Sequence, residues 1–324
     1  VERSRGLGDV YKRQGIMNTN VAIEIKDLTK KYDDKVAVDG INLEIYKGEC
    51  FGLLGPNGAG KSTAMKMMYC SALVTSGELY VLGLNVKKNY REIKSRIGVV
   101  PQEDGLDPDF TVLENLSVYA SFHNIPAAEA DLRAQALLRL MKLEEYQDRS
   151  VETLSGGMKR RLAIARGLIN SPEVIFLDEP TTGLDPQARL WIWDFFKHLK
   201  SEKSTLVLTT HYMEEAEQMC DRVAIIDDGK ILTIGKPRDL IRDLIGKEVV
   251  EFDTNPVDLN YYLGRLRAEG FAYQVIKETV SVLVKENQEG RRVVDLIASD
   301  KIFIRKPTLN DVFLKLAGHQ LRDE

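Results

Sequence analysis

Nine consecutive residues restrict this chain more than any others: Gly55-Pro56-Asn57-Gly58-Ala59-Gly60-Lys61-Ser62-Thr63. They follow the short apolar run Cys50–Leu54 and lead into a helical stretch from about Ser62. The pattern is GxxxxGK(S/T), and its chemistry needs these residue types at this spacing. Glycines let the backbone curl so that successive N–H groups point inward as an anion nest. The helix behind them adds the positive end of its dipole. A lysine at position 61 reaches the outer phosphates of a nucleoside triphosphate, and a hydroxyl at position 62 is a ligand for Mg²⁺. Strand, glycine-rich loop and helix in that order open an α/β nucleotide-binding core of the P-loop NTPase kind.

The rest of the chain is read around that core. Val21, Ile23 and Ile25, then Ile41, Leu43 and Ile45, recur with period two, as half-buried antiparallel strands do. From about Thr111 to Leu143 the pattern turns helical, which marks an inserted helical subdomain over about residues 105–165. Strands return at Val174–Leu177, Thr205–Thr209 and Val223–Ile226. Between the first two of these, Ile192, Phe195, Phe196 and Leu199 share one face of a helix. Alternating strands and helices predict a mainly parallel sheet with both faces covered. From about residue 247 the order of strands and helices is βαββαβ, the ferredoxin-like plan, followed by a last helix over Asn310–Leu316. The expected fold is therefore α/β: a P-loop NTPase with a RecA-like core, an antiparallel β subdomain and a helical insert over residues 21–244. A small α+β ferredoxin-like domain over 247–324 completes it.

A phosphate cradle alone does not choose among ATPases, kinases and GTPases. Val174-Ile175-Phe176-Leu177-Asp178-Glu179 is an apolar strand ending in two carboxylates. Asp178 is placed to hold Mg²⁺, and Glu179 to orient and deprotonate an attacking water, a role that contributes roughly 10²–10⁴-fold. Both acids can instead cap the next helix or solvate a strand end. Leu154-Ser155-Gly156-Gly157-Met158 precedes another helix; Ser155 reads as its N-cap, and the glycine pair exposes backbone N–H groups. This is a second anion site, and one chain has no evident use for two cradles on one phosphate tail.

LSGGMKRR resembles the signature sequence of ABC ATPases, and GPNGAGKST, VPQED, FLDEPTTGLDP and TTH fall in the order that ABC nucleotide-binding domains show. The resemblance covers about Val21 to Lys236. The whole chain, including the final LNDVFLKLAGHQLRDE, looks most like ATPase subunits paired with separate permeases in drug-resistance, nodulation-factor and polysaccharide-type exporters. The resemblance implies ATP as substrate with Mg²⁺, and roles for matching positions. Tyr32 would stack on adenine, a contact worth ~1–3 kcal/mol per base. Gly55 to Thr63 would bind the phosphates, with Lys61 also counted as catalytic. Gln102 would touch Mg²⁺ and the water and sense the membrane partner, and His211 would contact the γ-phosphate. Asp185 lies in the loop that crosses between two such domains. The usual signature glutamine is Met158 here, and a thioether cannot supply an amide's hydrogen bonds.

Composition limits the alternatives. Lys plus Arg number 45 against 49 Asp plus Glu, so bulk positive charge for nucleic-acid binding is lacking. Cys50, Cys70 and Cys220 form no CxxC pair and read as reduced core thiols. No apolar run approaches the ~18 residues a membrane span needs, so work at a membrane requires a partner. The expected partners are a second copy in a nucleotide sandwich and integral-membrane permease subunits, at the cytoplasmic face of the membrane. Competing readings are an ABC ATPase of DNA repair or translation and a module that holds ATP without cleaving it. The first fourteen residues resemble translated adapter read-through, so residues 1–16 read as a non-native leader and the expected native start is Met17.

Overall fold

The computed structural model describes residues 20–297 and 301–318, with backbone only at 287 and 288. The expectations for Met17 and the preceding leader lie outside the described residues.

Strands β1 (Val21–Tyr32) and β2 (Lys35–Tyr46) form an antiparallel hairpin, as the period-two pattern predicts. Strand β3 (Cys50–Leu54) runs into the glycine-rich loop and helix α1 (Lys61–Met68). Next come β4 (Ser76–Val81), β5 (Leu84–Asn85), α2 (Tyr90–Arg96) and β6 (Ile97–Val100). Strands β1, β2, β4 and β5 make one antiparallel sheet, ordered β2-β1-β4-β5.

The helical insert follows β6. It holds α3 (Val112–Phe122), α4 (Ala127–Leu140) and α5 (Gly156–Leu168). Strand β7 (Val174–Asp178), α6 (Pro186–Ser201), β8 (Thr205–Thr210), α7 (Met213–Met219), β9 (Arg222–Asp227) and β10 (Lys230–Gly235) complete the central sheet. Its order is β10-β9-β3-β8-β7-β6, parallel except for the edge pair β9–β10.

Side-chain alternation along these buried strands feeds two cores at once. Cys50 and Leu54 of β3, Ile175 and Leu177 of β7, and Leu206 and Leu208 of β8 face the helical insert and α6. Phe51 and Leu53, Val174 and Phe176, and Val207 face α1 and the antiparallel sheet. Both faces are covered, which is why β3, β7 and β8 are apolar throughout rather than alternating.

Helix α8 (Pro237–Leu244) leads to the C-terminal unit: β11 (Glu248–Asp253), α9 (Pro256–Ala268), β12 (Ala272–Ile276), β13 (Thr279–Val284), α10 (Asn287–Leu296) and β14 (Ile302–Arg305). Its sheet is antiparallel with order β12-β13-β11-β14, so the first and third strands of the unit lie at the centre, as in the ferredoxin-like plan. This unit is less separate than its sequence indicates. The last helix, α11 (Leu309–Ala317), buries Leu309, Val312 and Phe313 in the same core as the helical insert and β3. Its first turn is tied to α7, where the Leu309 N–H donates to Glu217 at 2.6 Å.

Candidate active site

The glycine-rich loop is held in its curl by steric necessity. Gly55 has φ 154° and a Cβ there would sit 2.0 Å from the Ile226 carbonyl oxygen. Gly60 has φ 103° and a Cβ there would sit 2.3 Å from the Ala37 carbonyl oxygen. Pro56, Asn57, Gly58 and Ala59 form the turn between them, and Thr63 lies in the first turn of α1. Gly60 is the helix N-cap, with no side chain to occupy the exposed N–H groups, so they are left for a ligand.

Lys61 is buried, and its Nζ donates to the carbonyls of Gly55 and Pro56, both at 2.9 Å. Its third proton is uncommitted, and Nζ lies 4.0 Å from Glu179 Oε1. Burial lowers the Lys61 pKa, against the raising effect of Glu179 and Asp178. The Ser62 hydroxyl donates to Asp178 Oδ1 at 2.9 Å, so strand β7 and the start of α1 bring a hydroxyl and a carboxylate together.

The chain turns sharply after β7. Glu179 takes the left-handed conformation, φ 45°, which residues other than glycine seldom adopt. Its N–H is held by the Thr209 carbonyl at 3.1 Å and the Thr209 hydroxyl at 3.0 Å. The turn directs the buried carboxylate at the P-loop lysine. Oε2 accepts from the Thr182 hydroxyl at 3.1 Å and lies 3.5 Å from Gln102 Nε2. His211 Nδ1 approaches the same oxygen to 3.3 Å, though its alignment falls short of a full hydrogen bond. The His211 contact is the main influence holding the Glu179 carboxyl below its usual range; burial opposes it, and Lys61 and Thr182 assist.

Lys61, Ser62, Gln102, Asp178, Glu179 and His211, which lie on four separate segments of the chain, thus share one site. Tyr32, at the far end of β1, is 47% exposed and carries Lys30 Nζ 4.4 Å over its ring. An exposed aromatic ring is the kind of surface on which a base can stack. His123 packs beside Tyr119, His198 is exposed near Glu202, and His319 lies outside the described residues.

The signature residues lie elsewhere. Ser155 caps α5, accepting from the Met158 N–H at 3.3 Å. Ser155, Gly157, Lys142, Arg161, Asp185 and Trp191 help line a cavity of about 340 Å³ that no glycine-rich-loop residue borders. Gly156 opens α5, Leu154 is buried, and the Met158 side chain packs on the insert core. Asp185 caps α6, accepting from the Ala188 N–H at 2.9 Å.

These residues fit magnesium. The paired Ser62 hydroxyl and Asp178 carboxylate are an oxygen-only donor set for a hard cation, with phosphate oxygens and water to complete its shell. When bound, Mg²⁺ neutralises charge on the transferring phosphate.

Comparison with known proteins identifies the family. The family model for "ABC transporter" matches residues 38–182. The Nod factor export ATP-binding protein I of Burkholderia thailandensis is 43% identical over 302 residues, spanning 93% of this chain and 98% of that protein. The chain belongs to the ABC transporter family. It is an ATP-binding subunit of that family, an ATPase that uses ATP with Mg²⁺.

A second relative, the Nod factor export ATP-binding protein I of Rhizobium meliloti, is 43% identical over 305 residues, 94% of this chain and 90% of its own. Among solved structures, a dimeric ATP-binding cassette in a post-hydrolysis state with ADP and Pi matches with TM-score 0.62 and 31% identity, covering 66% of this chain and 98% of that one. The cbiO1 protein of Clostridium perfringens, described as part of the ABC transporter complex cbiONQ, matches with TM-score 0.64 and 28% identity, covering 69% and 92%. Among the described residues no helix is long and apolar enough to cross a membrane.

Three polar residues of this ABC ATPase site escape a reading by motif. Thr209 donates its hydroxyl to Asp178 Oδ1 at 2.5 Å while holding the Glu179 N–H, and Thr182 anchors the Glu179 carboxylate. Both threonines sit inside quoted motifs, so proximity in sequence could have flagged them. The third, Arg160, also lies in a quoted motif, LSGGMKRR, but a cation early in an amphipathic helix reads as solvent-facing, so its burial had no signal in the sequence.

Proposed function

We propose that two copies of this chain pair head to tail around two Mg-ATP molecules and drive a separate membrane permease that exports its cargo. The observation that carries this reading is the separation of two half-sites on one chain. The cradle at Lys61 and Ser62 carries the acid Glu179, while Ser155, Gly157 and Asp185 line a distinct cavity. A second copy supplies to each cradle the anion site it lacks. ATP favours the closed pair because only that state makes both sets of contacts.

In the assembled site Lys61 donates its free proton to the outer phosphates, and the first N–H groups of α1 bind the rest of the chain. Asp178 and Ser62 hold the metal together with Gln102. Glu179 orients the water and accepts its proton, and His211 and the N–H groups of Ser155 to Gly157 stabilise charge on the γ-phosphate. Tyr32 stacks on adenine. The relatives' own names, as export ATP-binding proteins, support the export direction. Function at the cytoplasmic face, docked to permease helices near Gln102 and the insert, follows from the same reading, as does a division into an ATP-binding domain (21–244) and an accessory domain (247–324).

Glu179→Gln should keep Mg-ATP affinity within a few fold, lose at least ~10²-fold in turnover and accumulate an ATP-bound dimer. Calorimetry, steady-state ATPase assays and size-exclusion light scattering measure the three quantities. Turnover near wild type would remove Glu179 as the base; a strictly monomeric variant with its permease present would remove the paired sites.

A further inference from the structure

Arg160 is charged, lies on α5 one turn after the Ser155 cap, and is only 4% exposed. Burying a guanidinium is costly unless its donors are met. Here they are met by two different loops. Nη1 donates to the Pro101 carbonyl at 2.6 Å, the Gln102 carbonyl at 3.3 Å and Asp104 Oδ1 at 3.2 Å. Nε donates to the Pro180 carbonyl at 2.7 Å, and Nη2 faces the carbonyls of Asp178 at 3.2 Å and Glu179 at 3.4 Å. One end of the fork thus holds the loop that carries Gln102, and the other holds the strand end that carries Asp178 and Glu179.

The planar, rigid guanidinium is what makes this bridge possible. A lysine ammonium is a single point on a flexible stem and cannot span both loops in fixed geometry. The helix that carries the bridge is the one whose N-terminus is capped by Ser155. Ser155 and Gly157 line the cavity that no residue of the chain's own cradle borders.

We propose that Arg160 is a positioning residue that couples the two nucleotide sites of the dimer. This rests on the paired-site reading above. When Ser155 of one chain meets nucleotide held by its partner, α5 of that chain is fixed in place. Arg160 carries that placement to Gln102, Asp178 and Glu179 of its own chain, which serve the other nucleotide. Occupation of one site then prepares the second for hydrolysis.

The test is the ATP dependence of turnover in the full chain with its permease, for wild type and Arg160→Lys. The wild type should show a Hill coefficient well above one. Arg160→Lys should bring it to about one and lower kcat at least tenfold, while calorimetry finds Mg-ATP affinity within threefold of wild type. A merely structural role would lower melting temperature and affinity together and leave the cooperativity of the folded fraction intact; that result overturns the proposal. If Arg160→Lys does not fold, Asp104→Ala decides, because it removes only the charged acceptor of Nη1. A lowered Hill coefficient in that variant supports the coupling, and wild-type cooperativity overturns it. A wild type that dimerises with ATP yet is non-cooperative also overturns it. A wild type that never dimerises removes the paired-site reading instead.

Discussion

Glu179 illustrates how a residue's chemistry is decided by its neighbours. Its carboxyl is held below the ordinary range chiefly by His211, with Lys61 and Thr182 assisting and burial opposing. A depressed folded-state pKa contributes stability that is present above the unfolded pKa, about 4.3, and is lost as pH falls through the lower folded value. The melting temperature of wild type relative to Glu179→Gln should therefore fall as pH drops from about 5 to about 3, since the variant has no carboxylate to protonate. Differential scanning calorimetry across that range checks it; a difference that does not change with pH would mean the carboxylate is unpaired in the folded protein. The roles proposed for Lys61, Ser62, Asp178 and Glu179 were legible as residue types at set spacings. The left-handed turn at Glu179 and the Thr209 clamp behind it were not, because they depend on β8 lying beside β7.

At the scale of single elements, local signals were good where a side chain closes on its own backbone. Thr111 was read as the start of the helical stretch, and it caps α3 by accepting from the Glu114 N–H at 3.2 Å while Glu114 returns to the Thr111 N–H at 2.8 Å. Thr111→Ala should cost about 1 kcal/mol of stability, read from the urea midpoint, with Mg-ATP affinity unchanged. The elements that sequence reading passed over lack such self-contained signals. Helix α7 is rich in acid, with Glu214, Glu215 and Glu217, yet Glu215 is fully enclosed and accepts from the Thr181 hydroxyl at 2.7 Å and the Trp193 indole at 3.2 Å. Burial raises its pKa. Strand β10 has two polar side chains, Lys230 and Thr233, with no period-two pattern, and exists as a strand because β9 supplies its ladder. Neither context is encoded within the element itself.

At the scale of the molecule, α11 joins the ends of the chain's architecture. Phe313 is fully buried in the core that also contains Leu54, Leu177 and Leu208. If the two parts unfold together, Phe313→Ala should destabilise the whole chain by ~3–5 kcal/mol in one transition, and calorimetry would show a single shifted peak. An ATP-binding part that melts unchanged would instead establish the C-terminal unit as an independent appendage. The Arg305 guanidinium adds to the same join, pairing with Asp311 at 2.6 Å and Glu251 at 2.7 Å. By itself the sequence determined the phosphate cradle, the carboxylate-tipped strand and the order of strands and helices, since these follow from residue type, spacing and period. Only the tertiary structure decided that six site residues from distant segments converge, that Ser155 lines a cavity Lys61 does not border, that Arg160 is buried between two loops, and that the last helix belongs to the nucleotide core. Convergence depends on which strands lie side by side and which faces pack, and those are long-range choices made by burial of the whole chain rather than by any local run of residues.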